Sequence, residues 1–224
     1  DLHSFPTRRS SDLGNFFRWI VWLALPIAVI TFFARGYVVA FIKNGGQPAI
    51  ASVLGALVIS IFFRTLYHIM ARTFYAQQDT RTPLYISIAT ISLNIVLAII
   101  FTQLFGWGVF GLAWAQSIVS VVEIAILLTI LHVRTPGIFN RKTLHSIITM
   151  MIASAIMGVV TYFVVQMLQL QSRDMNFMAV FPKFTVIVVV SFAVYIALSK
   201  VFKLEEADPI VAKLRQLLFG RVRR

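Results

Sequence analysis

The chain has 224 residues, 59% of them hydrophobic and only 12% charged, with a formal net charge of +12. Soluble domains run near 45–50% apolar and about 25% charged, so both figures exclude an ordinary aqueous fold. The basic residues are scattered between apolar runs with no aromatic-interleaved stripe, which excludes a nucleic-acid partner, and the absence of cysteine excludes disulfides and thiolate metal sites.

In chain order, residues 1–13 (DLHSFPTRRSSDL) are polar and break abruptly into an apolar run. They lack the order of a signal peptide. The string resembles adapter read-through at the end of a gene model, so it is read as a non-native leader, with native protein expected to continue upstream. A bilayer core of about 30 Å needs about 20 mostly apolar helical residues. Six stretches meet that length: residues 16–42, 48–75, 83–105, 109–133, 144–170 and 178–202. The ten-residue alternation of a membrane barrel is absent. The expected fold is therefore all-α and integral to the membrane, with six transmembrane helices over residues 14–204 and a basic cytoplasmic tail over 205–224.

Each span carries few polar residues, and a charge at mid-bilayer costs about 2.5–3.5 kcal/mol on insertion scales. In the first span, Arg35 either faces a hydrated cavity that receives an anionic substrate or snorkels to the outer headgroups. In the second, Arg64, His68 and Arg72 recur every four residues and share one helical face. They read as a basic ladder along a cavity wall, or as one intramembrane arginine with two headgroup-level neighbours. Thr82 and Pro83 suit the cap and first turn of the third span, where Asn94 is read as interhelical glue. Trp107 and Trp114 flank the start of the fourth span at interface depth. That span holds Glu123, read as a partner for Arg64 or Arg35, as a protonatable coupling group, or as a protonated side chain hydrogen-bonded between helices. Pro26, Gly36, Gly55, Gly111 and Gly158 interrupt the helices. Beyond the sixth span, Asp208–Pro209 can cap a short amphipathic helix with Ile210, Val211, Leu214, Leu217 and Leu218 on one face.

With the first helix starting in the cytoplasm, thirteen basic residues fall inside and three outside: Lys43, Arg173 and Lys183. The positive-inside rule thus puts both ends of the segment in the cytoplasm. No metal-spaced cluster, nucleophile elbow or phosphate loop is present, and His3, His68, His132 and His145 are isolated. No metal, cofactor or catalytic residue is expected, and the chain reads as a transporter rather than an enzyme.

The turn between the second and third spans reads ARTFYAQQDTRTP over residues 71–83. It resembles the signature loop of the MurJ (MviN) family, R-x-F-Y-A-x-x-D-x-x-T-P, matched here by Arg72, Phe74, Tyr75, Asp79, Thr82 and Pro83. Asn94, the GVFGLA run over 108–113 and the Leu25-Pro26 step fit in register. The resemblance extends from Gly14 to the end of the chain. It implies a bacterial inner-membrane lipid II flippase of the MOP exporter superfamily, moving a lipid-linked anionic peptidoglycan precursor between leaflets. It also implies fourteen helices in two lobes, of which these six would be the last, with the missing N-terminal helices and membrane lipids as partners. In that family the pyrophosphate-binding arginines lie mainly on helices absent here. The chain departs from the pattern at residues 44–47 and at Glu123, where asparagine is commoner. Within the loop, Asp79 is expected to accept backbone hydrogen bonds or to pair with Arg72 or Arg81. Competing functions are a polysaccharide flippase or drug/cation exporter of the same superfamily, and a non-transporting scaffold for cell-wall enzymes.

Overall fold

A computed structural model describes residues 5–42, 47–134, 141–169 and 177–208, with side chains described from Gly14 onward. The amphipathic helix expected beyond Pro209, the 43–46 connection and Arg173 lie outside the described residues. Seven α-helices follow in order: α1 (Phe5–Phe33), α2 (Arg35–Ile42), α3 (Pro48–Ala76), α4 (Arg81–Ile99), α5 (Gly108–Arg134), α6 (Arg141–Met167) and α7 (Phe177–Val201). Among the described residues six stretches are long and apolar enough to cross a membrane. They fall where the hydropathy places them, because span length is a local property of the sequence.

The first span differs from expectation in one respect: it is not one continuous helix. Helix α1 ends at Phe33 and α2 begins at Arg35, with Ala34 between them still donating its N–H to the Ile30 carbonyl at 2.8 Å. Beyond it the Ala34 carbonyl is shared, accepting from Tyr37 N–H at 2.9 Å, three residues on, and from Val38 N–H at 3.2 Å, four residues on. Gly36 lies just after this step, where an overwound backbone is cheapest.

The other helix ends are built from identifiable devices. Pro48 opens α3 after an extended Gln47, at the position where a missing N–H costs nothing. At the end of α3, Gln78 takes a left-handed φ of 60°. Its N–H reaches the Tyr75 carbonyl at 3.0 Å, and Asp79 N–H reaches that of Phe74 at 3.0 Å. That is a Schellman termination, made without the usual glycine. The end of α7 repeats it: Lys203 has φ 53°, and Leu204 N–H reaches the Ser199 carbonyl at 2.9 Å. Helix α4 passes into a π-helical turn, Ile100–Leu104, and the chain reverses through Gly106 (φ 67°) and Gly108 (φ 53°), conformations that favour glycine.

Packing divides the helices into two groups. Helices α3, α4 and α5 form one, with α5 against both others, and α1, α6 and α7 form the second. The α1–α3 contact and the bridging α2 join them. Gly111 lets α5 approach the π turn, since a Cβ there would lie 3.1 Å from the Phe101 carbonyl carbon and oxygen. In the second group, Trp22 of α1 packs against Tyr195 of α7 with ring centres 5.5 Å apart and tilted by 42°, and donates to Ser199 Oγ at 3.1 Å. All three side chains are buried. Small hydroxyls close the remaining contacts: Ser117 with the Ala56 carbonyl, Ser60 with Ser120 and Thr161 with Ser191. Water-poor surroundings favour such interhelical bonds over unpaired hydroxyls.

Candidate functional site

The polar residues of the first group converge on one cavity of about 200 Å³, lined by Arg64, Tyr67 and His68 of α3, Ser87, Thr90 and Asn94 of α4, and Val119 and Glu123 of α5. Arg64 and His68 are exposed on this face of α3, as is Arg72 below them.

Glu123 is buried. Its Oε1 accepts from Ser87 Oγ at 3.3 Å and Thr90 Oγ1 at 3.2 Å, and the Tyr67 and Ser87 hydroxyls meet at 2.7 Å. Among the described residues no ion pair joins Glu123 to Arg64 or Arg35. Glu123 thus makes hydrogen bonds between helices, to Ser87 and Thr90 of α4. The reason is geometric. Helix α4 presents two hydroxyls directly to the carboxylate, while the Arg64 guanidinium is held one level away by an amide.

That amide belongs to Gln116, which sequence reasoning did not single out. The Asn94 and Gln116 side-chain amides meet at 2.6 Å, bridging α4 and α5. Turned over, Gln116 instead accepts from Arg64 Nε at 3.2 Å and Nη2 at 3.1 Å, and its NH2 faces the Asn94 amide, which has to turn with it, the orientation of an amide being assigned from its network. Asn94 is thus interhelical glue, as its residue type suggested. Gln116, Ser87, Thr90 and Tyr67 gave no sequence signal beyond being polar atoms within apolar spans.

Arg35 lies elsewhere. It is half-buried where α1 breaks. Its Nη1 donates to the Phe32 carbonyl at 2.7 Å, its guanidinium sits 4.8 Å from the Phe32 ring centre, and its aliphatic part crosses Gly55 of α3. Arg35 therefore closes the end of a broken helix, one of the four-carbonyl sets that a terminus leaves open. It does not join the cavity.

The signature loop is organised by Asp79. Oδ1 accepts the backbone N–H groups of Arg81 (3.1 Å) and Thr82 (3.0 Å), and Oδ2 accepts the Thr82 hydroxyl at 2.6 Å. The capping side chain of α4 is therefore Asp79 and not Thr82, because Thr82 already lies inside the first turn. Asp79 is ion-paired with Arg134 at the end of α5, rather than with Arg72 or Arg81. Arg134 also donates to Thr82 Oγ1 at 3.0 Å and lies over the buried Phe74 ring. The Thr82 hydroxyl, Arg134 and the Thr82 N–H hold the Asp79 carboxyl well below the usual carboxylate range. Pro83 is buried in the first turn, and Tyr75 and Arg72 point outward.

A second charged cluster joins the ends of the other group. Arg18 of α1, nearly inaccessible, pairs with the equally buried Glu206 and with Glu205 at 3.4 Å. Lys142 of α6 reaches Glu205 at 2.6 Å and is the main cause of that carboxyl lying below its ordinary range. Among the described residues no group of three or more His, Cys, Asp or Glu side chains forms a metal site.

Comparison with known proteins places this arrangement. The family model "Lipid II flippase MurJ" matches residues 8–182. A probable lipid II flippase MurJ of Vibrio cholerae is 28% identical over 135 residues, covering 60% of this chain and 24% of the relative. A probable lipid II flippase MurJ of Thermotoga maritima is 28% identical over 163 residues, covering 73% of this chain and 30% of the relative. The solved structure of a lipid II flippase MurJ in an inward closed conformation superposes with a TM-score of 0.68 at 21% identity, over 85% of this chain and 38% of that one. The chain thus spans between about a quarter and two fifths of the length of these relatives.

Proposed function

The chain belongs to the lipid II flippase MurJ family, and from that membership we propose that it supplies the last six helices of a carrier for a lipid-linked, pyrophosphate-bearing peptidoglycan precursor. The activity is transport between leaflets, by alternating access, with both described ends on the cytoplasmic side. Its partners are the anionic lipid-linked substrate, the bilayer and the preceding helices of the same protein.

One observation supports this reading beyond family membership. Arg64 lies twelve residues before the end of α3, about 18 Å along the helix axis and therefore deep in the span. It is exposed on the surface of this six-helix unit, above His68 and Arg72. A guanidinium facing acyl chains at that depth is expensive, so charged residues there face a hydrated cavity or protein. A cationic column along a cavity wall raises the local concentration of an anionic headgroup. The Asp79–Arg134 pair, which ties the α3–α4 turn to α5, keeps that wall rigid while the lobe moves.

The test is lipid II flipping by the full-length protein in proteoliposomes. Arg64→Gln is expected to reduce the rate by at least about tenfold. Arg35→Gln acts through the helix break and is expected to lower stability more than rate. The six helices alone are expected to flip nothing. Unchanged flipping in Arg64→Gln would remove the cationic column from the mechanism, and flipping by the six helices alone would remove the dependence on the preceding ones. Discrimination from an O-antigen-type carrier or a drug exporter rests on the substrate supplied to the vesicles. A scaffold role predicts instead that flipping survives while partner recruitment fails on changing Arg134, Arg141 and Lys142.

A further inference from the structure

The three outer connections expected of six spans differ in charge. The first contains Lys43, and the third Arg173 and Asp174. Between Arg81 and Glu123 the chain carries no charged residue, and the α4–α5 connection lies within that stretch. Apolar surface runs on through the turn. Residues 103–110 are exposed without a break, with Leu104 75% and Val109 67% accessible, and Gln103 is the only hydrophilic side chain among them. Their rings join one continuous series. Phe101 lies 5.9 Å from Phe105 and 5.4 Å from Trp107, and Phe105 lies 5.6 Å from Trp107. Phe110 and Trp114 extend the series along α5, at 6.4 and 6.2 Å.

A contiguous exposed apolar patch marks contact with a membrane or another protein, and depth decides for the membrane. The span Arg81–Leu104 has 24 residues, about 36 Å at 1.5 Å per residue, against an apolar core of about 30 Å. The connection therefore begins at the far boundary of the bilayer, where the apolar body and polar N–H of tryptophan are both accommodated. The patch also continues the exposed face of α4 formed by Ile88, Ile91, Ile95 and Ile99, which faces acyl chains in a membrane helix. The turn answers backbone donors internally, as a water-poor setting requires: Phe105 N–H reaches the Ile100 carbonyl at 3.1 Å, and Trp107 N–H that of Phe101 at 3.0 Å. We infer that the α4–α5 connection is a lipid-binding corner. It is seated through Phe105, Trp107 and Phe110 in the acyl–headgroup boundary of the leaflet opposite Arg81 and Arg134, and does not project into water. The corner sets the depth of the α4–α5 hairpin whatever the assembly carries, so the inference goes beyond the transport reading.

The chain has no cysteine, so single nitroxide labels can be placed without removing any residue. The full chain is reconstituted in vesicles of phosphatidylethanolamine and phosphatidylglycerol and labelled at Leu104→Cys, Val109→Cys or, as the reference, Gln169→Cys, an exposed position before the third connection. Spin relaxation reads collisions with oxygen, which concentrates among acyl chains, and with a water-soluble nickel chelate. The oxygen-to-nickel ratio at Leu104→Cys and Val109→Cys is expected to exceed that at Gln169→Cys by at least about twofold. Adding Trp107→Ser to Val109→Cys is expected to raise nickel access by at least about twofold, and Trp107→Tyr, which keeps an amphipathic ring, to leave it unchanged. Helix content from circular dichroism shows that each variant is folded. A ratio at either label no higher than at Gln169→Cys overturns the inference. Shielding of both labels from both reagents overturns it as well, because protein would then cover the face, and unchanged access in Trp107→Ser removes the ring from the contact. None of these outcomes bears on lipid II flipping, which is measured separately.

Discussion

Asp79 carries three duties on one carboxylate: it caps α4 through two backbone N–H groups, accepts the Thr82 hydroxyl and pairs with Arg134. Each favours the ionised form, so the folded carboxyl titrates below its ordinary range. A depressed folded value means that the stabilising contribution is complete above the unfolded value of about 4 and is lost as pH falls below it. Thermal unfolding of the chain in detergent, followed as pH is lowered from about 5 toward 2, is expected to show a fall in midpoint. Asp79→Asn should flatten that fall and start from a lower midpoint. A variant as acid-sensitive as the unaltered chain would mean that other carboxylates carry the effect. The residue type and the loop were legible in sequence, whereas the partner was not. Arg72 and Arg81 are nearer along the chain, but the α3–α4 turn directs the carboxylate toward the end of α5, fifty-five residues away.

At the scale of elements, the spans were set by hydropathy, and their ends by chemistry that the sequence partly conceals. Two helices, α3 and α7, end in left-handed residues that are not glycine, Gln78 and Lys203. A side chain in that conformation costs about 1 kcal/mol. Gln78→Gly should therefore raise stability by about that amount, read as a higher unfolding midpoint with no change in helix content. A lower midpoint would show that the Gln78 side chain, rather than the backbone, holds the turn. No glycine marks either terminus, so the left-handed cap itself has no sequence signal, although hydropathy locates both span ends. The break in the first span is partly announced: Arg35 and Gly36 interrupt the apolar run there, and the altered hydrogen bonds around Ala34, with Arg35 donating to the Phe32 carbonyl, divide α1 from α2.

At the scale of the molecule, the second helical group is closed by a buried pair between Arg18, near the beginning of the described side chains, and Glu206, near their end. Removing one partner of such a pair leaves an uncompensated buried charge and costs about 3–5 kcal/mol, while replacing both with apolar groups is often neutral. Arg18→Met and Glu206→Leu are each expected to lower the unfolding midpoint strongly, and the double variant to recover most of the loss. If the double variant behaves as the sum of the singles, the two side chains act independently. The pair also explains why the residues after α7 fold back under the bundle: Leu204, Glu206 and Ala207 are all buried there.

The sequence by itself determined the class, the six spans and the family. Each depends on apolar length or on a contiguous motif, both of which are local. It also named Asn94 as an interhelical contact, because an amide in an apolar span has few other uses. Only the tertiary structure decided who meets whom. It separated Arg35 from Arg64, gave Glu123 to Ser87 and Thr90, gave Arg64 to Gln116, and gave Asp79 to Arg134. Those choices follow from the rotation of each helix about its axis, and helix rotation is fixed by packing against neighbours distant in sequence, which no spacing rule within one span records.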